Sequence, residues 1–424
     1  MVNEENVTSI SESFATPCIA ILLGAPFTEQ NLDRIGMRYM NMHAKFVIFN
    51  CSPWIGRFDK DIDQDQKNWG YIENINNYNE LHLAIKRHLP KYAIDFIGPN
   101  KIRPEIQICL NISKVKFVVQ KIGALPNPSI LERILWKCKD KFQEKNRIPE
   151  ENKKLIENSL SINLPSQTNI LRKLISLLKN RFIDYFLSKP PDLALLSGSK
   201  SIDYFTSRAK TIIWSSAPDY HIYNQHKKNP QNNFVKELPS YVVFIDDCVT
   251  YASDWEFLGI NPPVTPEMYF SVMSKFFDMV ENLWGVNVVI AAHPNSKNDV
   301  RIKEGFGNRL TICGMTAELV SFSKAVLLHA STGVSFAALA DKPIFFISTK
   351  ELSQSRYGMY VRSMAKEFNK KPIIVDGLHS LPKLQPNSTK SRLNSRYVER
   401  YLRSKKAKEN RPWGGFLEYL EMNH

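Results

Sequence analysis

Two segments constrain this chain most: residues 287–294 (NVVIAAHP) and 325–347 (AVLLHASTGVSFAALADKPIFFI). Each opens on a short apolar run, the mark of a strand buried on both faces of a parallel sheet. Each then presents polar residues where that strand ends, which is where open α/β sheets hold their ligands. After the second run, Ser331, Thr332 and Gly333 lead into the small-residue stretch VSFAALA, expected to be a helix. Backbone N–H groups and hydroxyls at such a start would face an incoming anion, and a phosphate fits there well.

The same alternation runs through the rest of the chain. Strands are expected at residues 18–23, 46–50, 93–97, 116–120, 192–196 and 211–214, then at 241–245, 287–292, 310–313, 325–329, 343–347 and 371–375, with helices between most of them. Residues 224–239 (NQHKKNPQNNFVKELP) have no periodicity and read as a linker. The chain therefore divides into an N-terminal Rossmann-like domain over 1–234, a second over 235–384 and a basic helical tail over 385–424. At 424 residues there is enough chain for two cores.

Composition narrows the class. Hydrophobic residues make up 43% and charged residues 23%, the balance of a folded soluble protein. No apolar run approaches the roughly 20 residues that span a bilayer, and residues 1–14 are polar and acidic, unlike a signal or transit peptide. A cytoplasmic protein is expected. The six cysteines are scattered without C-x-x-C spacing and read as structural thiols. The net charge of +14 favours polyanions or anionic membrane surfaces. Much of it lies in Lys390, Arg392, Arg396, Arg400, Arg403, Lys405, Lys406, Lys408 and Arg411, opposed locally by Glu399 and Glu409. Either a solvated helix face or attraction to a membrane explains that series. Residues 169–188 are expected to form an amphipathic helix with Arg172, Lys173, Lys179 and Arg181 on its polar face, read as packing onto the sheet in preference to lying on a membrane surface.

The candidate site residues lie at expected strand ends. His293-Pro294 closes one strand, so the ring is expected to project from the sheet edge into the interdomain cleft, where it can donate to a phosphate, sugar or base. His329, two residues before the Ser331-Thr332-Gly333 turn, is expected to face the core. Glu318, in the helix before the 325–329 strand, could reach a ribose hydroxyl. Asp246 and Asp247 follow the YVVFI strand, and adjacent residues point oppositely, so one acts at most; Asp247 is the candidate. In the first half, Asp219 and His221 follow the TIIW strand and could take the proton of an acceptor hydroxyl. Asp61, Asp63 and Asp65 resemble a metal-holding D-x-D pair but lack the apolar strand such a motif ends, and no metal site is expected. Dinucleotide, P-loop and G-x-S-x-G fingerprints are absent, which argues against a dehydrogenase, a P-loop kinase and an α/β-hydrolase.

On these residues the chain resembles the GT-B glycosyltransferases, two Rossmann-like domains facing across a cleft. Residues 245–270, 288–296 and 316–348 are similar to glycosyltransferases encoded with bacterial surface-polysaccharide genes. His293-Pro294 and Ser331-Thr332 also resemble the motifs with which sialyl-, polysialyl- and Kdo transferases hold CMP. The resemblance spans residues 240–350 and implies a metal-independent transferase without a cofactor, moving a sugar from a nucleotide sugar, CMP-linked in preference to UDP-linked, onto a surface-glycan or lipid-linked glycan acceptor. Peripheral attachment to the inner face of the plasma membrane through the basic tail goes with that reading. It departs from the sialyltransferases in lacking an Asp-x-Gly motif for the base. Two alternatives remain open: a UDP-sugar epimerase of GT-B-like fold, which would need no acceptor, and a non-catalytic nucleic-acid-binding protein, for which no helix-turn-helix, RNP-type or zinc-finger pattern appears.

Overall fold

The computed structural model describes residues 17–24, 40, 44–56, 71–98, 102–129, 131–133, 135–136, 188–228, 233–252, 255, 261–296, 299–382, 391–408 and 410–423. The N-terminal segment, Asp61, Asp63, Asp65, Cys138 and, but for Ser188, the helix expected over 169–188 lie outside these residues.

Apolar runs that alternate sides every residue give two all-parallel sheets. The first is seven-stranded, from β1 (Cys18–Leu23), β2 (Lys45–Asn50), β3 (Tyr71–Asn74), β4 (Tyr92–Phe96), β5 (Lys116–Lys121), β6 (Leu193–Leu196) and β7 (Thr211–Trp214), in the order β3-β2-β1-β4-β5-β6-β7. The second is six-stranded, from β8 (Tyr241–Ile245), β9 (Asn287–Ala292), β10 (Thr311–Cys313), β11 (Val326–Leu328), β12 (Ile344–Ser348) and β13 (Ile373–Ile374), in the order β10-β9-β8-β11-β12-β13. Each sheet starts in its middle, winds outward one way for two strands and then reverses, which is the Rossmann order. The expected α/β class with two Rossmann-like sheets and a helical C-terminal segment is what the chain forms.

The period of two explains the layers. In β1, Ala20 and Leu22 face helices α1 (Tyr78–His88) and α2 (Arg103–Ile112) through Leu81, Ala84, Ile106 and Leu110, while Ile19 and Ile21 face the opposite side. In β8, Val242 and Phe244 pack on Tyr269, Met273, Phe276 and Phe277 of the long helix α5 (Pro266–Trp284). Proline at its first turn and Gly285 in a left-handed conformation at its end (φ 62°) set the bounds of α5. Val243 and Ile245 face the other layer, made by α6 (Thr316–Phe322), α7 (Val334–Leu339) and α8 (Arg356–Glu367).

Between the sheets, the stretch read as a linker is largely helical, with α3 (Pro218–Lys228) and α4 (Asn233–Glu237). No residue of α3 is fully buried, yet it packs along α6 and α7 of the second sheet. Tertiary contact supplies what its polar sequence does not announce.

The C-terminal segment returns to the first sheet. Helix α9 (Arg392–Tyr397) packs on α7, and a single π-helical turn, Val398–Leu402, follows. The chain then runs along the carboxyl ends of β6 and β7, where Ser404 N donates to Ser197 O (2.8 Å) and Ala217 N donates to Leu402 O (2.7 Å). Helix α10 (Gly414–Met422) packs on the Ile19 and Ile21 face of the first sheet with Phe416, Leu417 and Leu420, joined by Trp413. Each such side chain contributes roughly 1.5–3 kcal/mol when buried. The basic series is partly consumed in this crossing: Arg396 donates to Glu367 O (2.6 Å), Arg400 pairs with Glu367 (2.8 Å), and Arg403 donates to Ala407 O (2.7 Å) while lying over the Tyr220 ring. The acidic partner that sequence proximity did not reveal is Glu367. Among the described residues no helix is long and apolar enough to cross a membrane.

Gly198 carries the closest contact of the crossing, since a Cβ there would collide with the Arg400 carbonyl and the Tyr401 amide. Gly198→Ala is expected to destabilise the protein by roughly 1–3 kcal/mol, read as a fall of several degrees in melting temperature. An unchanged melting temperature would mean that the crossing is loose.

Candidate functional site

The parallel register sets the geometry of the candidate site. Ile245 of β8 pairs with Ala291 of β9 on one side and with Leu328 of β11 on the other. Two residues further along each chain come His293, Asp247 and Ala330, just past the ends of three adjacent strands. At a strand spacing of about 4.8 Å, the outer two backbones are about 10 Å apart. The row includes the β8/β11 boundary, where the winding of the sheet reverses and a crevice opens at the carboxyl ends.

Asp246 is buried, and its Oδ1 accepts from the Cys248 amide (3.0 Å). Burial, then the charge of Asp247, push its carboxyl up to about 7, against the pull of backbone amides of Cys248, His293 and Asp247. Asp247 is half-buried. Its Oδ2 accepts from Ala330 N (2.9 Å) and from the Tyr357 hydroxyl (2.8 Å).

His329 faces the core, as expected, with no exposed surface. Its Nδ1 is 2.7 Å from Ile347 O, which can only accept, so Nδ1 carries the proton. Burial holds the ring's pKa below its usual value and so keeps it neutral. Nε2 therefore accepts from the Tyr269 hydroxyl (2.8 Å).

The turn after β11 is compact. Gly333 N donates to Ser331 Oγ (3.2 Å), Val334 N to Ser331 O (3.2 Å) and Ser335 N to Thr332 O (3.1 Å). These amides, expected to face an anion, are engaged within the turn, while the half-buried Ser331 and Thr332 side chains lie nearer its surface. Gly333 is needed for packing rather than for an unusual φ: a Cβ would lie 3.0 Å from Ile245 Cδ1. His293 is half-buried, and its carbonyl accepts from Ser296 N (2.8 Å); Pro294 is exposed and starts the turn Pro294–Ser296.

The other candidates fall in a second group, along α3. Glu318 on α6 pairs with His226 of α3 (3.4 Å), joining elements of the two halves. Asp219, in the first turn of α3, lies within electrostatic reach of Tyr397, which stacks on Phe368 and Tyr401 at 4.9 Å each. His221 has its pKa lowered by burial and then by Arg411, partly offset by a backbone bond involving Asn410. The two groups flank α7: the Ser331-Thr332-Gly333 turn starts that helix, and α3 packs along it. Sequence reasoning missed Tyr269 and Tyr357, which reach the site from helices 60 and 110 residues away along the chain from His329 and Asp247. Among the described residues no group of three or more His, Cys, Asp or Glu side chains gathers to hold a metal.

No protein-family model matches the chain, and no curated protein matches it. Solved structures do. UDP-N-acetylglucosamine 2-epimerase from Rickettsia bellii is similar at 12% identity and a TM-score of 0.40, over 78% of this chain and 79% of that one. UDP-GlcNAc 2-epimerase from Methanocaldococcus jannaschii is similar at 12% identity and a TM-score of 0.42, over 96% and 99%. CalG4, the calicheamicin glycosyltransferase, is similar at 11% identity and a TM-score of 0.41, over 86% and 87%.

Asp246 gives this site a pH signature. The folded chain holds its proton up to about 7, whereas an unfolded aspartate releases it near 3.8. Its contribution to stability is therefore full below the unfolded value and is lost as pH rises through about 7. Asp246→Asn should gain stability over the parent between pH 5 and pH 8, by an amount on the order of a few kcal/mol. Melting curves at the two pH values check this, and a gain that stays constant with pH would contradict it.

Proposed function

We propose that the chain is a nucleotide-sugar-dependent enzyme, and within that class a metal-independent glycosyltransferase. The observation that carries this reading is the row of His293, Asp247 and Ala330 across β9, β8 and β11, with the Ser331-Thr332-Gly333 turn beside it. A nucleotide laid along that row would meet an imidazole at one end and two hydroxyls at the other, at the crevice where open parallel sheets take such ligands. His293 and the turn would stabilise charge growing on the leaving phosphate. The likeness of His293-Pro294 and Ser331-Thr332 to CMP-binding motifs favours sialic acid, Kdo or another nonulosonic acid carried on CMP.

The acceptor would be a surface glycan, and Asp219 or His221 would take the proton from its hydroxyl. His221 suits that part, because its lowered pKa leaves it neutral and able to accept a proton near pH 7. Asp247 serves this reading as the anchor of the turn, its Oδ2 being already engaged by two donors. The exposed basic residues Arg392, Lys405, Lys406 and Lys408 would draw the enzyme to an anionic surface carrying a lipid-linked acceptor.

A thermal-shift panel of CMP, CDP, UMP, UDP, GDP and TDP tests the nucleotide. One base should raise the melting temperature selectively, by the equivalent of about 2.7 kcal/mol at a hundredfold excess over Kd. No shift from any of them would refute the reading. His293→Ala should lower sugar transfer by on the order of 10²-fold with the fold intact, and an unchanged turnover would remove His293 from the mechanism.

A further inference from the structure

The Ser331-Thr332-Gly333 turn is held from outside. Helix α7 spans Val334–Leu339, too short to fix its own orientation. Consecutive residues ahead of it are tied in different directions: His329 into the sheet through Tyr269 and Ile347 O, and Ala330 sideways through Asp247. The last tie continues to Tyr357, since one oxygen, Asp247 Oδ2, accepts from both Ala330 N (2.9 Å) and the Tyr357 hydroxyl (2.8 Å).

Tyr357 is itself firmly placed. It sits in the first turn of α8, where Ser355 accepts from the amides of Tyr357 (3.1 Å) and Gly358 (3.3 Å). Gly358 approaches the carbonyls of Leu352 and Ser353 so closely that a Cβ there would lie 2.6 and 2.5 Å from them. The Tyr357 ring meets Trp255 edge-on at 6.2 Å. The hydroxyl is thus delivered to Asp247 by backbone that has little room to shift.

We infer that Tyr357 is a positioning residue for the nucleotide phosphate: it holds Asp247, Asp247 holds Ala330, and Ala330 sets where the Ser331 and Thr332 hydroxyls stand. The phosphate part of this inference rests on the function proposed above; the latch itself does not.

Amide exchange in the ligand-free full chain tests the latch. Tyr357→Phe keeps the ring and removes the hydroxyl, so exchange in a peptide over 330–334 should quicken about tenfold or more, with exchange in Tyr241–Ile245 unchanged. Asp247→Ala should do the same, and adding Tyr357→Phe to it should change nothing further, because the two act in series. Unchanged exchange at 330–334, equal quickening in both peptides, or additive effects of the two substitutions would each overturn the latch. Titration of UDP and CMP by calorimetry tests the phosphate part: Tyr357→Phe should weaken the nucleotide that binds by about tenfold. Parent-like binding in that variant would overturn the positioning role. Parent protein that binds neither nucleotide would count against the proposed function, while the exchange comparison would still decide the latch.

Discussion

The parallel pairing of β8 with β9 on one side and β11 on the other is the constraint on which the rest depends. Its register brings His293, Asp247 and Ala330 to one level beyond the sheet edge. A slip of one residue in any of the three strands would exchange which of its side chains face each layer, so the fitted packing on both faces holds the register. Site geometry in this chain is therefore a by-product of core packing. The buried hydroxyl-imidazole pair Tyr269–His329 and the shared acceptor Asp247 then adjust what the register has already placed.

The two halves are joined more closely than a hinge between separate domains would require. Helix α3 follows the first sheet but packs along α6 and α7 of the second, and the C-terminal segment runs back from α9 on α7 to close the first sheet with α10. This arrangement ties α7, whose first residues follow the Ser331-Thr332-Gly333 turn, to both halves at once. The positive charge of the crossing has a local use, in Arg396 and Arg400 meeting Glu367, alongside any longer-range role.

What the sequence made legible follows from the range of the forces involved. Strands buried on both faces must be apolar throughout, so runs such as YVVFI and NVVIAA stood out and their bounds match the structure. The edge strand β3, Tyr71–Asn74, is polar and went unread. The end of helix α3, residues 224–228, reads as the start of a linker because the helix has no fully buried residue and its stability comes from partners distant in sequence. Residues at strand ends could be singled out as candidates because strand ends are locally marked. Tyr269 and Tyr357 were not, since nothing in the neighbourhood of either residue tells that its hydroxyl meets His329 or Asp247. The engagement of the Val334 and Ser335 amides by carbonyls of their own turn was equally hidden, because it depends on backbone geometry rather than on residue type.

The central claim is that a nucleotide lies along the strand ends of the second sheet, between His293 and the Ser331-Thr332-Gly333 turn. A crystal structure of the chain with CMP or UDP bound tests it most directly. The account predicts phosphate oxygens within hydrogen-bond reach of the Ser331 or Thr332 hydroxyl, with the nucleotide extending toward His293. A nucleotide seated instead at the β1/β4 boundary of the first sheet, or bound away from both strand-end crevices, would contradict it.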